Sequence, residues 1–128
     1  MALTQGATNT FKTGLASGTF NFNTDTFKIA LYTGAASLDA TTVSYTSSGE
    51  ASASGYTAGG EVLTVTTTPT IGNTGTTAYV SFANVSWTSA LTARGALIYK
   101  VGATNPTVCV LDFGSDKTST TTFTVQFP

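Results

Sequence analysis

Short apolar runs that alternate with polar residues dominate the chain from residue 27 onward. They are rich in β-branched and aromatic side chains and are separated by Gly, Ser, Asn and Thr, which is typical of strands joined by turns. In run 27–33 we expect Phe27, Ile29 and Leu31 to face a core and Lys28, Ala30 and Tyr32 to face away, so that the strand is half-buried. The pattern predicts about eight strands: 27–33, a short or edge strand at 43–45, 61–68, 78–82, 85–88, 94–101, 107–113 and 120–127.

The N-terminal part of the chain shows the one helix signal. Phe11 and Leu15 lie four residues apart, so they would share a face of a short helix over 10–16. Thr10 is a suitable N-cap residue, although Gly14 weakens the helix. The sequence therefore predicts an N-terminal arm, residues 1–23, that can hold a short helix.

Two turn segments shape the predicted strands. Residues 47–60 are rich in glycine and alanine and contain few large side chains, which predicts a long surface loop. Residues 72–75, Gly-Asn-Thr-Gly, have the chemistry of a tight turn, so 61–68 and 78–82 should form a hairpin. Pro69 cannot donate to a ladder, and we expect it to end the first of these strands.

These elements predict an all-β fold in a single domain. With 128 residues the chain is long enough for one core and too short for two ordinary domains. We expect a two-sheet antiparallel β-sandwich of jelly-roll type over residues 24–128, and a small closed barrel is the alternative.

Charge argues against two classes of partner. The chain has five Lys and Arg against six Asp and Glu, and the cations are scattered, whereas a nucleic-acid or anionic-membrane surface needs a basic patch. No apolar run approaches the ~20 residues that cross a bilayer, and the N-terminus lacks the features of a secretory signal. We therefore expect a soluble protein that is made without a secretory signal and that binds neither nucleic acid nor membrane.

The residues that usually carry chemistry are scarce. There is no histidine, and Cys109 is the single cysteine, which argues against a catalytic triad and against a structural zinc site. The apolar neighbours of Cys109 predict a buried, inert thiol. Asp112 and Asp116 flank a turn residue, Gly114, and a weak calcium site there is the less favoured interpretation. We expect no enzyme activity and no cofactor.

Five segments together resemble a family of small virion structural proteins of tailed bacteriophages. They are Phe27-Lys-Ile-Ala-Leu-Tyr-Thr33, Ser54-Gly-Tyr-Thr-Ala-Gly-Gly60, Val80-Ser-Phe-Ala-Asn-Val-Ser-Trp-Thr88, Thr92-Ala-Arg-Gly-Ala-Leu-Ile-Tyr99 and Val110-Leu-Asp-Phe-Gly-Ser-Asp-Lys117. The resemblance covers nearly the whole chain, although Gly49-Glu50-Ala51 stands where members often have Asn-Glu-Val. It implies a capsid decoration or cement protein, or a part of the tail.

The leading hypothesis is a decoration protein that binds the major capsid protein in the virion as a homodimer or homotrimer. Residues 1–23 and 47–60 are its expected contact segments, because both have little intrinsic structure. A tail or fibre component with tail-protein partners, and a carbohydrate-binding module that uses exposed aromatic residues, are the alternatives. The expected interface residues are Leu3, Phe11, Phe20, Phe22, Gly55, Tyr56, Thr57, Gly59 and Gly60.

Overall fold

The computed structural model describes residues 3–71 and 75–127, in which antiparallel strands dominate and one short helix is present. The elements are β1 (Gly6–Ala7), α1 (Asn9–Ser17), β2 (Phe27–Tyr32), β3 (Glu61–Leu63), β4 (Val65–Ile71), β5 (Ala78–Phe82), β6 (Val85–Trp87), β7 (Thr92–Lys100), β8 (Thr107–Thr118) and β9 (Phe123–Val125). The strands form a five-stranded sheet of order β1-β8-β7-β2-β3 and two two-stranded sheets, β4-β5 and β6-β9. The all-β prediction is therefore confirmed, whereas a jelly-roll arrangement is not.

The five-stranded sheet is a central layer with a packed cluster on each face. On one face Phe27, Ile29 and Leu31 of β2 pack with Trp87 and Phe123 of the β6-β9 sheet. On the opposite face Ala30, Tyr32, Leu38, Leu97 and Val110 form a second cluster, together with Leu3. The predicted half-buried character of β2 is wrong, because only Lys28 retains partial exposure and every other β2 residue is buried.

The N-cap of helix α1 lies two residues before the predicted cap, Thr10. Thr8 is the N-cap, and its hydroxyl accepts the Phe11 N–H at 3.1 Å. The same buried side chain is hydrogen-bonded to Thr107 on β8, so the cap also fastens the helix to the central sheet. Gly18, in a left-handed conformation, ends the helix as a C-cap.

The predicted strand 61–68 is divided between two sheets. β3 pairs with β2 at the edge of the central sheet, and β4 leaves that sheet to pair with β5. The expected hairpin is confirmed by this antiparallel pair, while residues 72–74 of its turn lie outside the described residues. Pro69 does not end the strand as predicted, because it sits in an irregularity between the paired residues Thr67 and Thr70, where no ladder donor is required.

The C-terminal strands differ in length from their predictions. β8 continues to Thr118 instead of ending at residue 113, with a register shift opposite β7 and Gly114 at φ +84°. The expected turn conformation at Gly114 is thus present within a long, bent strand. The last strand shortens to Phe123–Val125, whose Phe123 and Val125 are buried against β6.

We predict that Gly60→Ala will destabilise the protein much more than Gly75→Ala. Both glycines are left-handed, at φ +81° and +73°, so either substitution adds strain of about 1 kcal/mol. A Cβ at Gly60 would also collide with the Ile29 carbonyl, whereas a Cβ at Gly75 meets open space. Urea unfolding should show a loss of about 3 kcal/mol for the first variant and about 1 kcal/mol for the second. Equal losses would contradict the close packing of this loop on β2.

Candidate interaction surface

The β4-β5 pair projects from the domain as a two-stranded ribbon. We use the word ribbon for residues 65–71 and 75–82. Among ribbon residues with a described exposure none is buried, and the side chain of Tyr79 is 47% exposed. β4 and β5 contact mainly each other, so the ribbon contributes little to either core cluster. An ordered pair of strands without a buried face is typical of an element that contacts a partner.

The base of the ribbon is fixed to the domain. The Phe82 ring lies 6.2 Å from Phe22 and 5.6 Å from Phe127, measured between ring centroids, and it packs at the margin of the larger cluster. One residue further on, the Ala83 N–H donates to the Thr64 carbonyl at 2.8 Å. The ribbon therefore leaves the domain in a defined direction.

The ribbon carries no charge. The 32-residue stretch 62–93 contains no Lys, Arg, Asp or Glu, and threonine is its commonest residue. Along the outer side of β5 lies an open groove lined by Tyr79, Val80, Ser81, Phe82 and Phe127. A partner that covers this surface would desolvate hydroxyl and aromatic groups and no ionised side chain, which lowers the cost of contact.

The glycine-rich loop 47–60 is held by the carboxylate of Glu50. Tyr45 Oη donates to Glu50 Oε1 at 2.5 Å, and Tyr56 Oη donates to Oε2 at 2.6 Å. The Gly59 N–H donates to the same Oε2 at 2.8 Å. The side chain of one loop residue thus joins the two ends of the loop to the preceding segment, so this loop is an ordered part of the fold.

The same loop closes the outer edge of β2 beyond β3. The Thr33 N–H donates to the Gly49 carbonyl at 2.9 Å, and the Ala51 N–H donates to the Leu31 carbonyl at 2.8 Å. The Leu31 N–H donates to Tyr56 Oη at 2.9 Å, so a side-chain hydroxyl replaces a ladder partner. The loop therefore protects an edge that would otherwise be open to another strand.

Four tyrosines surround Glu50, and their pKa values rise above the ordinary 10.0. Burial raises the pKa of Tyr32, Tyr45, Tyr56 and Tyr99, and the nearby Glu50 carboxylate raises each of them further. Two of the hydroxyls donate to backbone carbonyls, Tyr99 Oη to Gly59 at 2.7 Å and Tyr32 Oη to Thr46 at 2.6 Å. The tyrosines therefore act as neutral donors that secure the loop.

The expected interface residues lie in two different surroundings. Leu3, Phe20 and Gly59 are buried within the chain, and Phe11, Phe22, Tyr56 and Gly60 are partly buried against it, so their contacts are explained by the domain itself. Gly55 and Thr57 are exposed. The predicted interface residues include none from the ribbon. Its long stretch without charge, with threonine where a core-facing strand would have large apolar residues, is a usable signal in the sequence.

The acidic pair near Gly114 is engaged in local contacts. Asp112 Oδ1 accepts the Gly114 N–H at 2.9 Å, and Asp116 lies 3.8 Å from the Arg94 guanidinium. Across the described residues, no group of three or more His, Cys, Asp or Glu gathers to hold a metal ion. Burial raises the pKa of the Cys109 thiol to about 11, which keeps it protonated near neutral pH.

Comparison with protein-family models, with curated proteins and with solved structures found no match to this chain. In the described part of the chain, no helix is long and apolar enough to cross a membrane. What the protein does has to be inferred from its own residues and their arrangement.

We predict that Glu50→Gln will destabilise the protein by about 1–3 kcal/mol. In the native protein three donors bind the two charged oxygens of the Glu50 carboxylate, whereas the amide of glutamine has a single, uncharged acceptor oxygen. The matched control is Glu61→Gln, an exposed residue on the edge strand β3, which should change the free energy of unfolding by less than about 0.5 kcal/mol. Urea unfolding at neutral pH measures both. Equal effects would show that the Glu50 hydrogen bonds add nothing.

We also predict that the protein loses stability in alkali. The pKa values of Tyr32 and Tyr56 are higher in the folded protein than the value of 10.0 expected in the unfolded chain. Their neutral hydroxyls therefore stabilise the fold below pH 10, and this stabilisation is lost as the pH rises above 10. Between about pH 10 and 12 the unfolding midpoint should fall, and tyrosinate absorbance should appear together with loss of the β-sheet circular dichroism signal. Ionisation of these buried tyrosines in a protein that stays folded would contradict the prediction.

Proposed function

We propose that this protein is a structural component of a tailed-bacteriophage virion that decorates the capsid and stabilises the lattice of the major capsid protein. The resemblance of five segments to small virion proteins supports the class of protein. The ribbon supports the proposed mode of action, because it is a fixed, uncharged pair of strands that lies outside the core of its own chain. The ribbon is the element that docks on the shell.

The chemistry of the ribbon suits contact with another protein. The small hydroxyl side chains on the ribbon let the backbone of a partner approach closely. Tyr79, which is about half exposed, supplies a large aromatic contact at its centre. Because no charged residue lies between 62 and 93, the contact should depend little on salt.

The rest of the domain serves as a rigid platform for this element. The loop 47–60 is secured by Glu50, and the N-terminal segment is fixed by Thr8 and by the aromatic contacts of Phe11 with Phe20 and Phe22. Little conformational entropy is then lost on binding apart from side chains of the ribbon itself. On a symmetric shell the same modest contact recurs many times, and this multiplication can stabilise the whole particle.

A shortened ribbon tests the proposal. In the variant, residues 68–80 are replaced by Asn-Gly, so that the turn joins the paired residues Thr67 and Ser81 and the anchored pair Val65 and Phe82 is kept. We expect the variant to unfold cooperatively in urea, as a folded domain does, and to lose binding to shells of the parent phage that lack this protein, measured by co-sedimentation. Leu15→Glu, on the exposed side of α1, is the control and should bind like the native chain.

Shells that bind the shortened variant as tightly as the native protein would overturn the role of the ribbon. Native protein that fails to bind shells, together with antibody labelling confined to the tail in electron micrographs, would overturn capsid decoration itself.

A further inference from the structure

The outer edge of β5 lacks the features that keep strand edges apart in other parts of this fold. In the described residues β5 pairs with β4 alone. Both register shifts of that pair place the extra residues on β4, so β5 is the regular strand of the two. It contains no proline and no charge over Ala78–Phe82. Such an edge is a ready template for a further strand.

The other exposed edges are short, interrupted or covered, and β1, β3, β6 and β9 each have only two or three residues. β4 contains Pro69 and both irregularities. The distal part of β8 is bent at Gly114 and carries Asp112, Asp116 and Lys117. The loop that Glu50 secures covers β2 beyond the short strand β3. The contrast makes β5 the edge on which strand addition is least opposed.

The charge pattern identifies the partner strand. Across a two-fold axis every residue near the axis meets the same residue type of the second copy, so a charged side chain there would face its own sign. The stretch 62–93 contains no charge, and the groove along β5 is lined by Tyr79, Val80, Ser81, Phe82 and Phe127. This surface can therefore lie against the same surface of a second copy without charge repulsion. Its aromatic side chains would be buried in that contact.

We infer that β5 pairs antiparallel with β5 of a second copy, which creates a four-stranded sheet in the order β4-β5-β5-β4 across a two-fold axis. This inference rests on the proposed function, since it specifies how the ribbon reaches the shell: as a pair of ribbons from a dimer. The base of each ribbon is fixed to its own domain, so the pairing adds strands to a hairpin that is already formed.

Two lysine substitutions that face each other across the hairpin test the inference. Thr67 on β4 and Ser81 on β5 are directly paired, share a face of the ribbon and are both partly buried. Ser81→Lys places like charges near the two-fold axis, whereas Thr67→Lys places the same charge one strand further away. Sedimentation velocity should show a dimer for the native chain and for Thr67→Lys. For Ser81→Lys the dimer should be weakened, with the dissociation constant raised at least about tenfold.

Hydrogen exchange separates this effect from damage to the hairpin. In the native dimer the β5 amides that point away from β4 should exchange slowly, and in Ser81→Lys they alone should become fast. Faster exchange along both strands would mean that the hairpin has opened, and a Ser81→Thr variant, which keeps the strand uncharged, should restore the dimer signal.

A native chain that is monomeric at all concentrations, or two lysine variants with equal effects, would overturn the inference. If such a monomer still binds shells, decoration stands and only the pairing fails. If the chain is dimeric but binds no shell, the pairing stands and the proposed function fails.

Discussion

The three hydrogen bonds received by the Glu50 carboxylate are the constraint on which the arrangement of this domain depends. The loop 47–60 contains too few large side chains to hold itself by burial, yet it must lie along β2, whose edge would otherwise be open. An ionised acceptor that binds two tyrosine hydroxyls and the Gly59 N–H replaces the missing apolar contacts with directional ones. Gly60 completes the fit, because its position against the Ile29 carbonyl leaves no space for a side chain.

The central position of the five-stranded sheet explains why so much of the chain is used for internal packing. A sheet that is buried on both faces needs two covering layers, and the described part of this short chain has one helix. The β6-β9 pair and the phenylalanines around α1 cover one face, and residues 36–45 with Leu3 cover the other. The described parts of residues 1–23 and 47–60, which the sequence predicts as contact segments, are therefore used in packing within the domain. The ribbon is the ordered element that remains outside both layers.

The sequence predicts strands better than it predicts what covers them. Alternation located β2, the hairpin, β7 and the first half of β8, because a period of two is a local property. The same alternation did not predict the exposure of β2. Ala30 and Tyr32 are residue types that occur both on surfaces and in cores, and here the second cluster buries them. Pro69 was misplaced for a similar reason, because its effect depends on whether the paired strand requires a donor at that position.

The predicted contact residues show the same limit. Low intrinsic structure predicted that residues 1–23 and 47–60 form a contact surface. The aromatic rings of Phe11, Phe20 and Phe22 nevertheless contact one another and the core. A residue without neighbours in the sequence can have them in space, so low local structure does not identify an interface. Absence of charge is more informative, because ionised side chains keep most surfaces soluble and apart. A strand edge without them is exposed to pairing, and in the assembly that we propose this liability becomes the means of contact.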